Sequence, residues 1–233
     1  QYTTCNVPGP GSNEREFSEV FPGCDCDSGC GRQCVCIVRS GEPSRWPVGP
    51  DNARPIIECS LACQCSKDET CPNRNVQSGL RFRLQVFKTA AKGFAVRTLD
   101  SIRRGSYVCP YAGEVIGLRT ARERVRRLDP LEPNYVIVLR EGGELTLVVD
   151  PSAVGGVGRF LNHSCDPNLA MVPVRTQCVV PELCLFARRD IGRGEELTYD
   201  YSGGSSRRGE KPCLCGASVC RGWLPLDLDV LGV

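Results

Sequence analysis

The sequence predicts a mainly β domain flanked on both sides by short segments whose cysteines bind zinc. Nine of the seventeen cysteines fall between Cys24 and Cys71, and three more fall between Cys213 and Cys220. The region between the two arrays contains short apolar runs separated by turn residues, which is typical of strands. It has neither a β-α-β periodicity nor a G-x-G-x-x-G motif, so a doubly wound nucleotide-binding sheet is not expected.

Composition excludes several classes of protein. The chain of 233 residues is 41% apolar, which is enough for a packed core, and its net charge is only +2. A dedicated DNA-binding protein would carry a stronger basic excess, although local basic patches remain compatible with this charge. No apolar run approaches the length that crosses a bilayer, so no membrane partner is expected.

The first cysteine array reads CDCDSGCGRQCVC and, after a 22-residue gap, CSLACQCSKDETC. Its C-x-C pairs are awkward for internal disulfides but place two thiolates within reach of one ion. One tetrahedral zinc needs four thiolates, so nine cysteines can hold three zinc ions if three of them bridge. A disulfide knot is the alternative, which the odd total of cysteines disfavours. The predicted ligands are Cys24, Cys26, Cys30, Cys34, Cys36, Cys59, Cys63, Cys65 and Cys71. The gap, with four prolines, is expected to be a surface loop.

The second array, CLCGASVC, supplies three thiolates from Cys213, Cys215 and Cys220. A closed zinc site needs a fourth ligand. Cys165 is the best candidate because it lies in a polar turn, and His163 is the second candidate. A ligand at Cys165 would fold the C-terminal tail back over this turn and create a pocket there.

The central region predicts strands at LQVF, FAVRTL, YVCPY, YVIVLR, LTLVVD and CVVPELCLFA, with a hairpin at Gly142-Gly143. One helix is predicted in GLRTARERVRRLDP, with a capping box of Thr120 and Glu123 and an end at Pro130. A charge run of this kind favours a solvated helix face, and contact with phosphates is the alternative. The arginines concerned are Arg119, Arg122, Arg124, Arg126 and Arg127.

Two polar stretches indicate a ligand site. The single histidine, His163, lies in RFLNHSCDPN, and a strand runs into a Gly-rich turn in GEELTYDYSGG. Tyr199 and Tyr201 are two residues apart, so on a strand they would point to the same face. Alone, such a pair suggests packing with hydroxyls at the rim. Beside the zinc arrays and the polar turn, it suggests function.

These motifs together resemble the SET-domain protein lysine methyltransferases. RFLNHSCDPN, then GEELTYDY and CLCGASVCRGWL, resemble the catalytic and post-SET segments, and the nine-cysteine array resembles the pre-SET cluster of the histone-methylating branch. KTAAKGFAVRTLDSIRRGSYVCPYAGEVIG resembles the family's opening segment. The resemblance implies a β-clip-like SET fold of short twisted sheets with a knot-like C-terminal closure. It divides the chain into an N-terminal extension (1–19), pre-SET (20–83), SET (84–202), post-SET (203–225) and a tail (226–233).

The resemblance also implies a cofactor, S-adenosylmethionine, and structural zinc, three ions in pre-SET and one in post-SET, bound by Cys165, Cys213, Cys215 and Cys220. His163 would then be neither a base nor a metal ligand, but part of the floor under the cofactor. The residues that match the family's cofactor contacts are Lys92, Gly93, Phe94, Tyr135, Arg159, Asn162, His163 and Trp223.

For catalysis, the resemblance assigns Tyr201 beside the transferring methyl, Tyr111 to the lysine channel and Tyr199 to product specificity. Methyl transfer needs a neutral lysine amine, and a narrow apolar channel lowers a lysine's pKa by desolvation. A tyrosine at position 199 implies mainly mono- and dimethylation. The chain departs from the family at Ala95, where glycine is usual, and at Pro110, where glutamate is common. Either change is expected to weaken cofactor binding.

The implied substrate is a histone tail, that of histone H3 above all, in a nucleus-localised chromatin enzyme. We also expect weak contact between the Arg-rich helix and nucleosomal DNA. The resemblance leaves the oligomeric state open.

Two alternative functions compete with this hypothesis. A SET-like chromatin-binding module would bind without turnover, and calorimetry with the cofactor would test that. A secreted disulfide-bonded module would lack zinc under reducing conditions.

Overall fold

A computed structural model describes residues 1–27, 29–40, 55–67, 71–129, 132–202 and 208–225. Two α-helices lie within these ranges, α1 at Val35–Ser40 and α2 at Leu118–Arg126. The strands there are β1 Val7–Pro8, β2 Ile56–Ile57, β3 Leu84–Lys88, β4 Phe94–Thr98, β5 Tyr107–Pro110, β6 Gly113–Val115, β7 Ile137–Glu141, β8 Glu144–Gly155, β9 Asn162–His163, β10 Leu169–Arg175, β11 Glu182–Ala187, β12 Glu196–Tyr199, β13 Arg208–Pro212 and β14 Trp223–Pro225.

The strands form small sheets rather than one large one. Their orders are β1-β6-β8-β7, β2-β10-β11-β5, β3-β4-β12-β9 and the two-stranded β13-β14. The mainly β prediction is confirmed, including the hairpin between β7 and β8 at Gly142-Gly143. Among the described residues, no helix is long and apolar enough to span a bilayer.

The third sheet, β3-β4-β12-β9, brings together the strands that position the site. β12 pairs antiparallel with β4 and parallel with β9, which sets Tyr199 opposite His163. Along β12 burial alternates, since Leu197 and Tyr199 face the core while Glu196 and Thr198 are only partly buried. The two-residue period of a strand therefore puts Tyr199 in the core and Glu196 at its edge.

Two local predictions are wrong. α2 begins at Leu118, and the N-cap residue is Gly117. No side chain caps the helix there, so Thr120 and Glu123 form no capping box. The helix start is set by packing, because Gly117 donates its N–H to the Pro10 carbonyl at 3.0 Å and touches Gly11 closely. A β-carbon on Gly117 would lie 2.8 Å from the Gly11 oxygen. α2 ends at Arg126, before the predicted stop at Pro130.

The gap between the halves of the first cysteine array is not a loop throughout. Its first residues belong to α1, and Ile56 near its end pairs with Val174 of β10. The Ser40 hydroxyl holds the two ends together by accepting the Ile57 N–H at 2.7 Å. The predicted loop at residues 41–54 lies outside the described residues.

Candidate active site and cysteine clusters

The nine cysteines of the first array converge on one centre. Their sulfur atoms form four overlapping groups in which every pair lies within 4.8 Å. Representative Sγ–Sγ distances are 3.8 Å for Cys24 with Cys30 and 3.7 Å for Cys36 with Cys63. Four thiolates arranged tetrahedrally about zinc at 2.3 Å are about 3.8 Å apart, whereas a disulfide joins sulfurs at about 2.05 Å. All seventeen cysteines are free, so the arrangement suits a metal cluster.

The second array acquires its fourth sulfur from the polar turn. Cys165, Cys213, Cys215 and Cys220 place their sulfurs within 4.8 Å of one another. Burial opposes the Cys215 thiolate, but the backbone N–H groups of Cys165 and Ala217 stabilise it and lower its pKa to about 6. A low thiol pKa favours metal binding at neutral pH. Cys165, rather than His163, thus completes the sulfur group.

His163 has a different task. It is buried, and its Nδ1 accepts the backbone N–H of Tyr201 at 3.1 Å, which places the ring proton on Nε2. Nε2 lies 3.4 Å from the Cys165 sulfur. Burial lowers the pKa of His163, Arg221 lowers it further, and Asp200 opposes this. The neutral imidazole therefore connects the second cysteine cluster with the backbone of Tyr201.

Three tyrosine rings form a cluster next to His163. The centroids of Tyr199 and Tyr201 are 4.7 Å apart, and those of Tyr111 and Tyr199 are 6.0 Å apart. Tyr111 and Tyr199 are buried, whereas Tyr201 exposes 40% of its surface. β12 ends at Tyr199, so Tyr201 lies in the following turn rather than on the strand, yet the two rings remain adjacent.

The tyrosine hydroxyls are oriented by backbone carbonyls. Tyr201 donates to the carbonyl of Leu161, and Tyr111 donates to that of Tyr135, both at 2.6 Å. Burial is the main cause that raises the pKa of Tyr111, Tyr199 and Tyr201 above the usual value of 10. All three are neutral hydroxyls at pH 7. Because the donors of Tyr111 and Tyr201 are already in use, their oxygen lone pairs are left to accept hydrogen bonds.

Lys92 and Asn162 converge on one carboxylate that sequence reasoning missed. Lys92 Nζ lies 2.7 Å from both carboxylate oxygens of Glu196. The Asn162 amide donates to Glu196 at 3.1 Å and to the Phe94 carbonyl at 3.2 Å. Glu196 belongs to the GEEL segment that precedes the tyrosines, but only the pairing of β12 with β4 and β9 reveals its partners.

Arg159 follows β8 on a 3-10 turn, Val157–Phe160. Its guanidinium lies 4.6 Å above the Tyr135 ring and 5.4 Å from that of Phe160. One Nη donates to the Ser152 carbonyl at 3.0 Å. Its Nε is buried without a hydrogen-bond partner in the described part of the chain. A buried unpaired donor is costly, so Arg159 Nε is available to donate a hydrogen bond to a bound ligand.

The remaining residues that the sequence predicted near the cofactor differ in their exposure. Gly93 adopts φ +73°, a conformation that favours glycine, and Phe94 exposes 56% of its surface while its ring packs edge-on against Phe160 at 5.9 Å. Ala95 is fully buried, in contrast to Phe94 before it. Trp223 is half-buried on β14, opposite Pro212.

Comparison with known proteins identifies relatives that cover the whole chain. A family model described as SET domain matches residues 93–202. The rat protein Histone-lysine N-methyltransferase SETMAR is 43% identical over 263 residues, covering all of this chain and 81% of its own length. A crystal structure of the methyltransferase domain of human SETMAR superposes with a TM-score of 0.85, at 40% identity, over 97% of this chain and 89% of its own. A structure of KRYPTONITE with mCHH DNA, an H3(1-15) peptide and SAH gives a TM-score of 0.71, at 28% identity, over 96% and 47% of the two chains.

Proposed function

The chain belongs to the SET-domain histone-lysine N-methyltransferases, and from this we propose that it transfers methyl groups from S-adenosylmethionine to a lysine in the tail of histone H3. The observation that carries the proposal is the cluster of Tyr111, Tyr199 and Tyr201, whose hydroxyls are neutral. Backbone carbonyls direct two of them, those of Tyr111 and Tyr201. A binding module without turnover would not need two oriented hydroxyls beside an exposed ring. The second candidate, a SET-like chromatin-binding module, has no observation in its favour.

The cofactor is proposed to lie along Lys92, Gly93 and Phe94 and over Asn162 and His163. The unpaired Nε of Arg159 supports this, because a buried donor without a partner suits a carboxylate such as that of the cofactor's methionine part. When bound, S-adenosylmethionine supplies an activated methyl group on a sulfonium. The proposed contacts are Lys92, Gly93, Phe94, Tyr135, Arg159, Asn162, His163 and Trp223.

The tyrosines act on the substrate amine. The lone pairs of Tyr111 and Tyr201 can accept its N–H groups and aim the nitrogen lone pair, since alignment of reacting groups supplies much of a rate enhancement. A phenolate base is excluded at neutral pH, because the pKa of each of the three hydroxyls lies above the usual tyrosine value of 10. The amine must therefore arrive neutral, and the surrounding rings favour that form by desolvation.

Zinc is proposed to hold the flanking segments in place, with three ions in residues 20–83 and one joining the SET segment (84–202) to the post-SET segment (203–225). The overlap of the cysteine groups supports bridging thiolates, since Cys24 and Cys59 each belong to three of the four groups. Residues 1–19 pair with the SET segment through β1 and β6. Nuclear, chromosomal localisation is proposed from the substrate alone.

The proposal is tested by incubating the protein with S-adenosylmethionine and either histone H3 peptides or intact nucleosomes, followed by mass spectrometry. A panel of lysine-to-arginine H3 variants identifies the target. Methylation of one lysine, lost in one variant of the panel, is the expected result. Cofactor binding in calorimetry without any methylation would favour the chromatin-binding module instead.

A further inference from the structure

Two loops that are distant in sequence but joined by a backbone bridge carry five exposed arginines. Arg103 and Arg104 lie between β4 and β5, and Arg188, Arg189 and Arg193 lie between β11 and β12. We call these five residues the arginine surface. None of them belongs to the tyrosine cluster or to a cysteine group.

The backbone holds the two loops together firmly. Ile102 and Ile191 are buried and exchange N–H···O hydrogen bonds of 2.9 and 2.8 Å in an isolated bridge. On one side the Arg104 N–H donates to the Asp190 carboxylate at 2.7 Å, and on the other the Gly105 N–H donates to the Ala187 carbonyl at 2.8 Å. The arginines therefore start from fixed neighbouring positions.

Nearby carboxylates neutralise only part of this charge. Glu195 is bound by Arg189 at 2.5 Å and by the Asn168 amide at 2.9 Å. Asp100 and Asp190 also belong to the two loops, and Asp100 is ion-paired with Arg83. Asp100 acts on Arg193 and Asp166 acts on Arg189, so nearby carboxylates partly compensate these two arginines.

Two arginines have their full hydrogen-bonding capacity available. The guanidinium groups of Arg103 and Arg104 make no hydrogen bond or ion pair with any residue in the described part of the chain, whereas Arg188 reaches the Pro167 carbonyl at 3.4 Å. Arg193 lies close enough to influence Asp100, which is already held by Arg83. A guanidinium presents a planar fork of donors that matches phosphate oxygens.

The Arg-rich helix α2 is less suited to the same task. Arg124 is bound to Glu114 at 2.8 Å and to Asp150 at 2.7 Å, so its charge is used inside the protein. Arg119 lies 3.9 Å from Glu123. The helix therefore offers a charge-matched control from elsewhere on the surface.

We propose that the arginine surface binds the phosphate backbone of DNA, and thereby anchors the enzyme on a nucleosome. The partner follows from charge complementarity, because Arg103 and Arg104 are unpaired cations and a duplex offers a continuous row of phosphates. The nucleosomal context rests on the proposed function, but the binding does not, since it needs neither cofactor nor turnover.

The test measures binding of the full chain to a fluorescent 30-base-pair duplex and to mononucleosomes, without cofactor, from 50 to 200 mM salt. Replacing both residues, R103S with R104S, should lower the slope of log affinity against log salt by about 2 and weaken binding roughly tenfold. The matched control, R119S with R126S on α2, should bind like the unchanged protein. The charge-conserving pair R103K with R104K should restore most of the binding, which separates charge from misfolding.

Activity provides a second, independent readout. Methylation of a free H3 peptide should be unchanged in R103S/R104S, while the KM for nucleosomes rises. Unaltered duplex binding in R103S/R104S would overturn the proposal, and so would an equal loss in the α2 control. Weaker binding to nucleosomes with unchanged binding to the duplex would also overturn it, because the partner would then be an acidic histone surface.

Discussion

Lys92 Nζ and the Glu196 carboxylate form a bidentate ion pair, with both N–O distances at 2.7 Å. The pair is largely shielded, since the side chains expose 22% and 26% of their surface. Because Asn162 donates to the same carboxylate, Glu196 joins the loop before β4 to β9. These are two of the segments on which the cofactor is proposed to lie.

Replacing Glu196 by Gln should therefore weaken S-adenosylmethionine binding more than it lowers kcat. The loss of a partly buried charge pair predicts a Kd about tenfold higher, which corresponds to about 1.4 kcal/mol. Calorimetry gives the Kd, and initial rates give kcat. The control is Asp100→Asn, which removes the Arg83 ion pair at the other end of the same hairpin and should change neither value. Equal effects of the two substitutions would contradict the role of Glu196.

Replacing Tyr201 by Phe should leave cofactor affinity nearly intact while kcat falls about 100-fold or more. The ring contacts with Tyr199 and His163 remain, but the hydroxyl that the Leu161 carbonyl orients is lost. Tyr2→Phe removes a hydroxyl from an exposed tyrosine and serves as the control. An equal loss in affinity and in kcat would show that the Tyr201 hydroxyl acts in binding instead.

Tyr199→Phe should shift the products from mono- and dimethyl-lysine towards trimethyl-lysine. The Tyr199 hydroxyl is buried beside Tyr111, where it can hold the substrate amine directly or through a water. Each added methyl group removes an N–H donor, and an unsatisfied buried hydroxyl costs about 1–3 kcal/mol. Mass spectrometry of a peptide methylated to completion measures the ratio. Dominant trimethylation by the unchanged protein would contradict the assignment.

The protein should contain four zinc ions by elemental analysis under reducing conditions. Cys165→Ser should lose one of them and much of the activity, because the second cysteine cluster also supports His163 and through it the backbone of Tyr201. Cys5→Ser is the matched control, since Cys5 is exposed and lies in none of the sulfur groups. One zinc or none in active protein would rule out the proposed clusters.

The contribution of Glu182 to stability should fall between about pH 4.5 and 7. Burial raises its pKa from the usual 4.5 to about 7, while the Asn6 N–H partly opposes the shift. The folded state therefore binds the Glu182 proton more tightly than the unfolded state, and its contribution is complete below pH 4.5 and lost as pH rises through 7. The cost at pH 8 reaches about 3 kcal/mol. Thermal unfolding of Glu182→Gln should match the unchanged protein at pH 5 and exceed it at pH 8. A pH-independent difference would contradict this account.

Spacing within short stretches predicted much of the site. The odd cysteine total and the C-x-C pairs led to thiolate clusters, and the three-thiolate second array led to Cys165 as its fourth member, where the sulfurs indeed converge. Short apolar runs bounded by turn residues located β3, β4 and β5. The sequence did not predict β10. This strand contains Pro173, and its residues do not alternate between apolar and polar, because it lies between β2 and β11 in the sheet. The roles assigned to the tyrosines and to the cofactor contacts stay predictions.

What the sequence determined by itself is the chemistry available: which residues can bind metal, which can orient an amine, and which segments prefer strands. These properties depend on neighbours in the chain, so local patterns carry them. Tertiary structure decided which residues meet. Three contacts join residues that are distant in the chain. Gly117, before α2, bonds to Pro10, Glu196 binds Lys92 and Asn162, and Ile102 pairs with Ile191. Such contacts arise from strand pairing and core packing, whose free energy depends on the whole fold rather than on any short segment.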